Sequence, residues 1–567
     1  MVCSGYGRAI YGTSLINGVS AYFEVWAPYA RELSVKLHGR GVFKAERDDR
    51  GYFRLELDGV KEGELYSFLV DGEEIPDPTS KYQPLGVHGP SQLVDLCFEI
   101  RELGKKVDLR DLLIYEIHVG TFTERGDFLG VIEKLDYLVD LGVNAIELMP
   151  VTQFPGERDW GYNGVFLYAV QNSYGGPKML AKLVDEAHKR GIAVILDVVY
   201  NHIGPEGNYL YRLGPYFSQR YRVPWGLTFN FDDSGSDEVR RFVLENVRFW
   251  LEVFKIDGLR LDAIHAIYDN SPKHILEEIS DLAHSLGKFV VMESDLNDPK
   301  VVREICGYKA DAQWVDDFHH AIHAYITGER EGYYIDFGSL EDIEKAFRDV
   351  FVYDGRYSRF RGKTHGSKVG DLPRYKFIVY IQNHDQVGNR GNGERLSMLV
   401  DKTTYLIAST LYILSPYIPM IFMGEEYFER NPFLYFCNFS DENIAKAVRE
   451  GRMRENKQVI DPQSPEAFLR SKLSWRIEGD VLDYYKKLIR IRRSYNICGE
   501  PPQVKRYSYS IEIRYRRLAI IAAFSDDTIE PDFEGDLLLG INFPARINKG
   551  RLRVSRGVGV YHVETQG

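Results

Sequence analysis

No apolar run in this 567-residue chain reaches the roughly 18–20 residues that a membrane span needs. The longest candidate, around Ile413–Met423, is short and broken by Pro416 and Pro419. The start, Met1-Val-Cys-Ser-Gly-Tyr6, has no basic region followed by an apolar one, so no signal peptide is expected. Cysteine is scarce. The five that occur (Cys3, Cys97, Cys306, Cys437 and Cys498) are scattered, odd in number and without metal-ligand spacing. They read as reduced, structural thiols of a cytoplasmic protein, with one intermolecular disulfide as the alternative. A basic stripe is missing too, and the net charge is −12, which argues against a nucleic-acid binder. Neither an internal repeat nor a low-complexity tract is visible.

What is present is a globular composition, 44% hydrophobic and 27% charged, on a chain long enough for two to four domains. Aromatic content is 13%, with 38 Tyr, which suits flat ligands such as sugar rings but more often fills cores. Residues 1–98 alternate or run apolar in short stretches (Ala21–Trp26, Leu33–Leu37, Phe53–Leu57, Leu65–Val70) separated by Gly and Asp-Gly turns. That spacing predicts a small β-sandwich. Pro76-Asp-Pro78 and Pro84 through Pro90 then make a stiff connection.

From about residue 110 strands and amphipathic helices alternate. The expected strands are Leu113–Val119, Ala145–Val151, Val194–Tyr200, Gly258–Asp262, Val290–Glu293, Ala312–Val315, Phe377–Ile381 and Pro419–Met423. Eight strands with helical crossovers predict a (β/α)8 barrel over residues 99–497. Val131 to Leu141 should form one helical face, Leu180 to Ala187 another, and Ser236 should cap a third helix. The turn-rich stretch 204–233 is too long for an ordinary loop and reads as a functional insertion. After a last helix at Leu482–Arg492, β patterns return, so a small antiparallel domain is expected over residues 498–567.

Asp257-Gly-Leu-Arg-Leu-Asp-Ala-Ile-His265 carries Arg260, Asp262 and His265 where a buried strand should carry Val or Leu. Charges there are costly to desolvate unless paired. The anomaly recurs at other strand ends: Asp197 to Asn201-His202, Glu293, Asp316-Asp-Phe-His-His320 and Asn383-His-Asp385. In a parallel barrel these ends share one face, where catalytic groups sit. A metal-dependent hydrolase would want a His-x-His pair on an early strand, and His118 stands alone. A non-catalytic glycan-binding scaffold predicts loss of a carboxylate, yet Asp262, Glu293 and Asp385 are all present. Two-carboxylate glycosyl chemistry fits best.

Asp197–His202, Gly258–Asp262 with His265, Glu293 and Asn383-His-Asp385 resemble, in order, the four signature regions of the α-amylase family of glycoside hydrolases. Glu24-Val-Trp-Ala-Pro28 is similar to the glycan-binding-type module that precedes branching and debranching enzymes. Trp160-Gly-Tyr-Asn-Gly164, Asn201 through Tyr209, Asp311 through His320 and Gln382 through Asn389 resemble the branch that acts on malto-oligosaccharides with a trehalose end. The likeness implies that Asp262 is the nucleophile, Glu293 the general acid/base and Asp385 the transition-state stabiliser. It implies that Arg260 keeps Asp262 ionised, Tyr162 stacks on the sugar, Asp197 braces the site, and Asp385 holds the sugar's hydroxyls beside His384 and His202. Asn163, Trp225, His265, Asp316, Asp317, Phe318, His319, Gln386 and Asn389 complete the implied substrate-binding set. Trp250 and Trp314 read as core.

The implied reaction releases trehalose by cutting the adjacent α-1,4 bond, with water as acceptor. Retention follows if the two reacting carboxyls lie about 5–5.5 Å apart. No cofactor or metal is implied, and a monomer or homodimer is expected. The alternative within the family is a branching or debranching enzyme acting at α-1,6 bonds. His265 stands three residues after Asp262, where many amylases have Lys followed by His, which favours the trehalose-acting branch. Glu426 through Phe433 and Asn438 through Asp441 depart from the family pattern; if that loop borders the leaving-group subsites, affinity for the trehalose end should differ.

Overall fold

A computed structural model of the chain describes residues 10–16 and 18–564, so Cys3 and the start Met1–Tyr6 lie outside the described residues. All eight expected strands are present and join in chain order as a closed parallel barrel. They are β1 (Ile114–Ile117), β2 (Ala145–Leu148), β3 (Ala193–Val198), β4 (Gly258–Leu261), β5 (Phe289–Met292), β6 (Ala312–Trp314), β7 (Phe377–Val379) and β8 (Ile418–Phe422). Ile114 to Glu116 pair with Met420 to Phe422 and close the ring.

Alternation along the strands sorts the barrel interior into layers. Ile114, Ala145, Ile195, Val291, Trp314 and Met420 belong to one apolar cluster. Two residues further along the same strands come Glu116, Glu147, Asp197, Glu293 and Asp316. The interior is therefore an apolar plug with an ionisable layer on top, at the strand C-termini. Gly258 gives β4 room to join that plug, because a Cβ there would lie 2.4 Å from the Phe289 ring.

Helices α1 (Gly176–Lys189) and α2 (Ser236–Arg248) cover the outside. Ser236 does not cap α2, contrary to expectation. Its N–H already bonds the Asp233 carbonyl at 3.0 Å, and Gly235, at φ +81°, takes the bend instead. The face expected across Val131–Leu141 is split between Phe128–Ile132 and Leu135–Leu141.

Two N-terminal sheets pack as a sandwich, with Phe23 of one meeting Tyr66 of the other edge-on at 5.2 Å. This unit leans on the barrel's flank. Tyr216 of the insertion donates to the Trp26 carbonyl at 3.0 Å, and Arg50 and Tyr52 both bond Glu238 of α2. After helix Gly479–Tyr495, a six-stranded antiparallel sheet spans Gln503–Val563. Cys97 is disulfide-bonded, which corrects the all-reduced reading. Cys306, Cys437 and Cys498 are free thiols. Spacing along the chain could not show which thiols meet in space.

Candidate active site

Arg260 is the hub of the site. Its side chain is fully buried, and burial of a cation requires partners. Its Nη1 donates to Asp197 Oδ2 at 2.8 Å and to Asp262 Oδ1 at 2.8 Å, while Nη2 lies 3.6 Å from Glu293 Oε2. The Trp314 ring lies 4.2 Å beneath the guanidinium, so this core Trp also stabilises the charge. Asn201 Nδ2 donates to the other oxygen of Asp262 at 2.8 Å. One guanidinium thus spans two carboxylates from neighbouring strands.

Directly after Asp262 the chain turns through Ala263, which adopts φ +40°, a left-handed conformation costly for a residue with a Cβ. That turn points the Ala263 N–H at Glu293 Oε2. Burial pushes the Glu293 carboxyl up to about 8; Arg260 pulls it down, and Asp262, Asp385 and Asp316 push it further up. The fields of all three acids therefore reach Glu293.

Asp385 sits in the first turn of a short helix, His384–Gly388, capped by Asn383. Its side chain is 44% exposed and accepts from Asn389 Nδ2 at 3.1 Å. His384 Nε2 lies 3.6 Å from it. Tyr162 stacks on His384 with ring centres 5.2 Å apart, and its hydroxyl touches Asp197 Oδ2 at 2.7 Å. Burial holds Asp197 up at about 7 against the pull of Arg260. His202 is buried, which lowers its pKa, and bonds the Tyr162 carbonyl at 3.0 Å. The insertion brings half-exposed Trp225 over this rim, 6.0 Å from His202 and 6.4 Å from His265.

Asp316 accepts from Tyr380 at 2.6 Å and Gln386 at 2.9 Å, and burial raises its pKa. Asn163, directly after Tyr162, donates to Asp159 at 2.7 Å. Three of the expected sugar contacts sit elsewhere. Asp317 is buried and accepts from Val352 and Tyr353 N–H groups at 2.7 and 2.8 Å, so it braces a loop. Phe318 is buried against Phe347 and Tyr417. His319 is buried, with both ring nitrogens bonded to Ile381 O and Tyr334 OH.

Both ends of the Glu426–Phe433 stretch are buried in the core. Glu426 is wholly buried, with Tyr115 at 3.1 Å and Tyr137 at 2.8 Å as donors, and burial lifts its pKa to about 7. Phe433 stacks under Trp160 at 5.3 Å. Asn438 and Ser440 are tied down by Glu157 and Glu206.

The residues missed from sequence are Glu116, Glu147 and Arg452. Glu116 and Glu147 carried the same signal as Asp262, a charge on a buried strand. Arg452, from helix Glu442–Asn456, donates to Asn389 Oδ1 at 2.8 Å and had no local signature. Among the described residues no group of His, Cys, Asp or Glu side chains could hold a metal ion.

Trp160 is fixed between Phe433 and a 2.9 Å bond from its Nε1 to the Leu434 carbonyl. A Cβ on Gly388 would lie 2.0 Å from its ring. Gly388→Ala should therefore push the Asp385 helix out of place and cost about 1–3 kcal/mol. Melting temperature and turnover measure it; both unchanged would mean that Trp160 can yield.

Residues 103–222 and 232–499 match the family described as "Alpha amylase, catalytic domain", and residues 498–562 match "Alpha-amylase, C terminal". The chain is 59% identical to malto-oligosyltrehalose trehalohydrolase of Saccharolobus solfataricus, over 95% of this chain and 97% of that protein. It is 40% identical to the enzyme of that name from a Rhizobium species, over 91% and 93%. A putative α-amylase structure from Salmonella typhimurium superposes with TM-score 0.91 at 35% identity, covering 98% of this chain and 100% of that one. A pullulanase from an Anoxybacillus species, complexed with maltotetraose, shares the fold at TM-score 0.72 and 17% identity, over 98% and 88%. The chain belongs to the α-amylase family of glycoside hydrolases, and within it to the malto-oligosyltrehalose trehalohydrolases.

Proposed function

We propose that this hydrolase cuts the α-1,4 bond next to the terminal trehalose of a malto-oligosaccharide, releasing trehalose with net retention. Asp262 attacks the anomeric carbon while Glu293 protonates the leaving oxygen. Glu293, now a base, activates the water that frees the shortened glucan. Asp385 steadies the oxocarbenium-like sugar, with His384 and His202 beside it, and Tyr162 and Trp225 offer aromatic faces to the rings. The observation that carries this reading is the Arg260 guanidinium bonded to Asp262 and 3.6 Å from Glu293. It supports reading Asp262 as the nucleophile and Glu293, whose carboxyl burial pushes up to about 8, as the acid. The division at residues 1–98, 99–497 and 498–567 and a cytoplasmic location belong to the same proposal. The Cys97 disulfide is compatible with that location, as in intracellular proteins of hyperthermophiles.

Product analysis tests the reaction. Maltooligosyl trehalose should yield free trehalose, while amylopectin should be nearly untouched. The converse pattern would assign the chain to α-1,6 chemistry.

A further inference from the structure

Glu116, on β1, belongs to the ionisable layer at the strand C-termini and is 1% exposed. Its two oxygens are spent on one residue: Oε2 accepts from the His384 backbone N–H at 3.1 Å, and Oε1 faces His384 Nδ1. The other ring nitrogen, Nε2, lies 2.8 Å from the Tyr162 hydroxyl. That hydroxyl owns one proton. Asp197 Oδ2, 2.7 Å away, already accepts from Arg260, so it takes the Tyr162 proton as well. Nε2 must then donate to the phenol oxygen, and Nδ1 must donate to Glu116. An imidazole that donates from both nitrogens is an imidazolium.

We propose that Glu116 is a positioning residue of this hydrolase, holding His384 as an imidazolium with its Nε2–H presented between Tyr162 and Asp385. The inference rests on the reading of His384 and Asp385 as sugar-facing groups. Glu116 and Glu147 face the ring from β1 and β2, Tyr162 from the loop after β2, and Asp197 and Arg260 from β3 and β4. His118 follows β1, and Asp385 adjoins the ring on its own helix. Burial opposes the ring's charge, but Asp385 and Glu116 together outweigh burial and Arg260, lifting its pKa to about 9. The cation gives the sugar a donor that needs no reorientation when substrate arrives, and it sits 3.6 Å from the Asp385 carboxylate.

Glu116→Gln keeps the shape and removes the charge. Without that charge His384 should lose its proton at lower pH, and activity with it. The expected loss in kcat/KM at pH 8 is about 10–100-fold, one charge-assisted hydrogen bond, shrinking towards pH 5.5 as the ring reprotonates. Glu116→Asp should recover part of it. A uniform drop at all pH values, or none, would overturn the proposal. Should Glu116→Gln fail to fold, the wild-type enzyme decides. In 15N-histidine NMR at pH 7.5, with His384 assigned by its absence in His384→Gln, both ring nitrogens should be protonated. A bare nitrogen would reject the imidazolium. The nitrogen shifts do not depend on which glucan is cut, so a failed product analysis leaves this test standing.

Discussion

Asp262→Asn is expected to lower turnover about 10,000-fold or more, with the melting temperature nearly unchanged. The amide matches the carboxylate in shape, and its oxygen can still accept from Arg260 Nη1. Its NH2 cannot accept from Asn201, whose Nδ2 now bonds the Asp262 carboxylate at 2.8 Å. Asn201 cannot simply turn over, because its carbonyl oxygen is engaged by His202. The lesion is thus local, one lost nucleophile and one frustrated hydrogen bond. A crystal of this variant soaked with intact maltooligosyl trehalose should show the trehalose end on the leaving side of Asp262 and Glu293. Ordinary turnover by the variant would remove Asp262 from the nucleophile's role.

Glu293→Gln should cost about 100–10,000-fold on the natural substrate, the usual worth of a placed proton donor. The wild-type acid must be protonated before attack, and its pKa is pushed to about 8. Activity is therefore present below that value and falls as pH rises through it, giving kcat/KM an alkaline limb near pH 8. The limb should vanish in Glu293→Gln, whose amide does not titrate. An aryl glycoside whose phenolate departs without protonation should lose far less in the bond-breaking step. Equal losses on both substrates would point to damaged binding rather than missing acid catalysis.

The barrel was legible because eight apolar stretches alternate with amphipathic helices, and the site because a charge on a buried strand demands an explanation. That argument applied to Glu116 and Glu147 as well. They went unread because each stands alone on its strand, without the cluster that marks Arg260 to His265. Asp316 faces Asp385 and Gln386, while Asp317, Phe318 and His319 do not. They sit on the helix Asp316–Thr327, where each step turns the side chain by about 100°, so neighbours in sequence cannot share one target. The tie from Arg452 to Asn389 joins segments distant in sequence, and no local pattern encodes it.

The left-handed Ala263 joins two carboxylates by the shortest route available: its N–H grips Glu293, and its neighbour is Asp262. The Ile264 N–H also holds the Glu293 carbonyl at 2.9 Å. The gap between Asp262 and Glu293 is thereby ruled by main chain, independently of Trp225 and the rim loops. Evolution or engineering can redraw that rim to accept a different glucan, while the spacing of Asp262 and Glu293 is inherited unaltered.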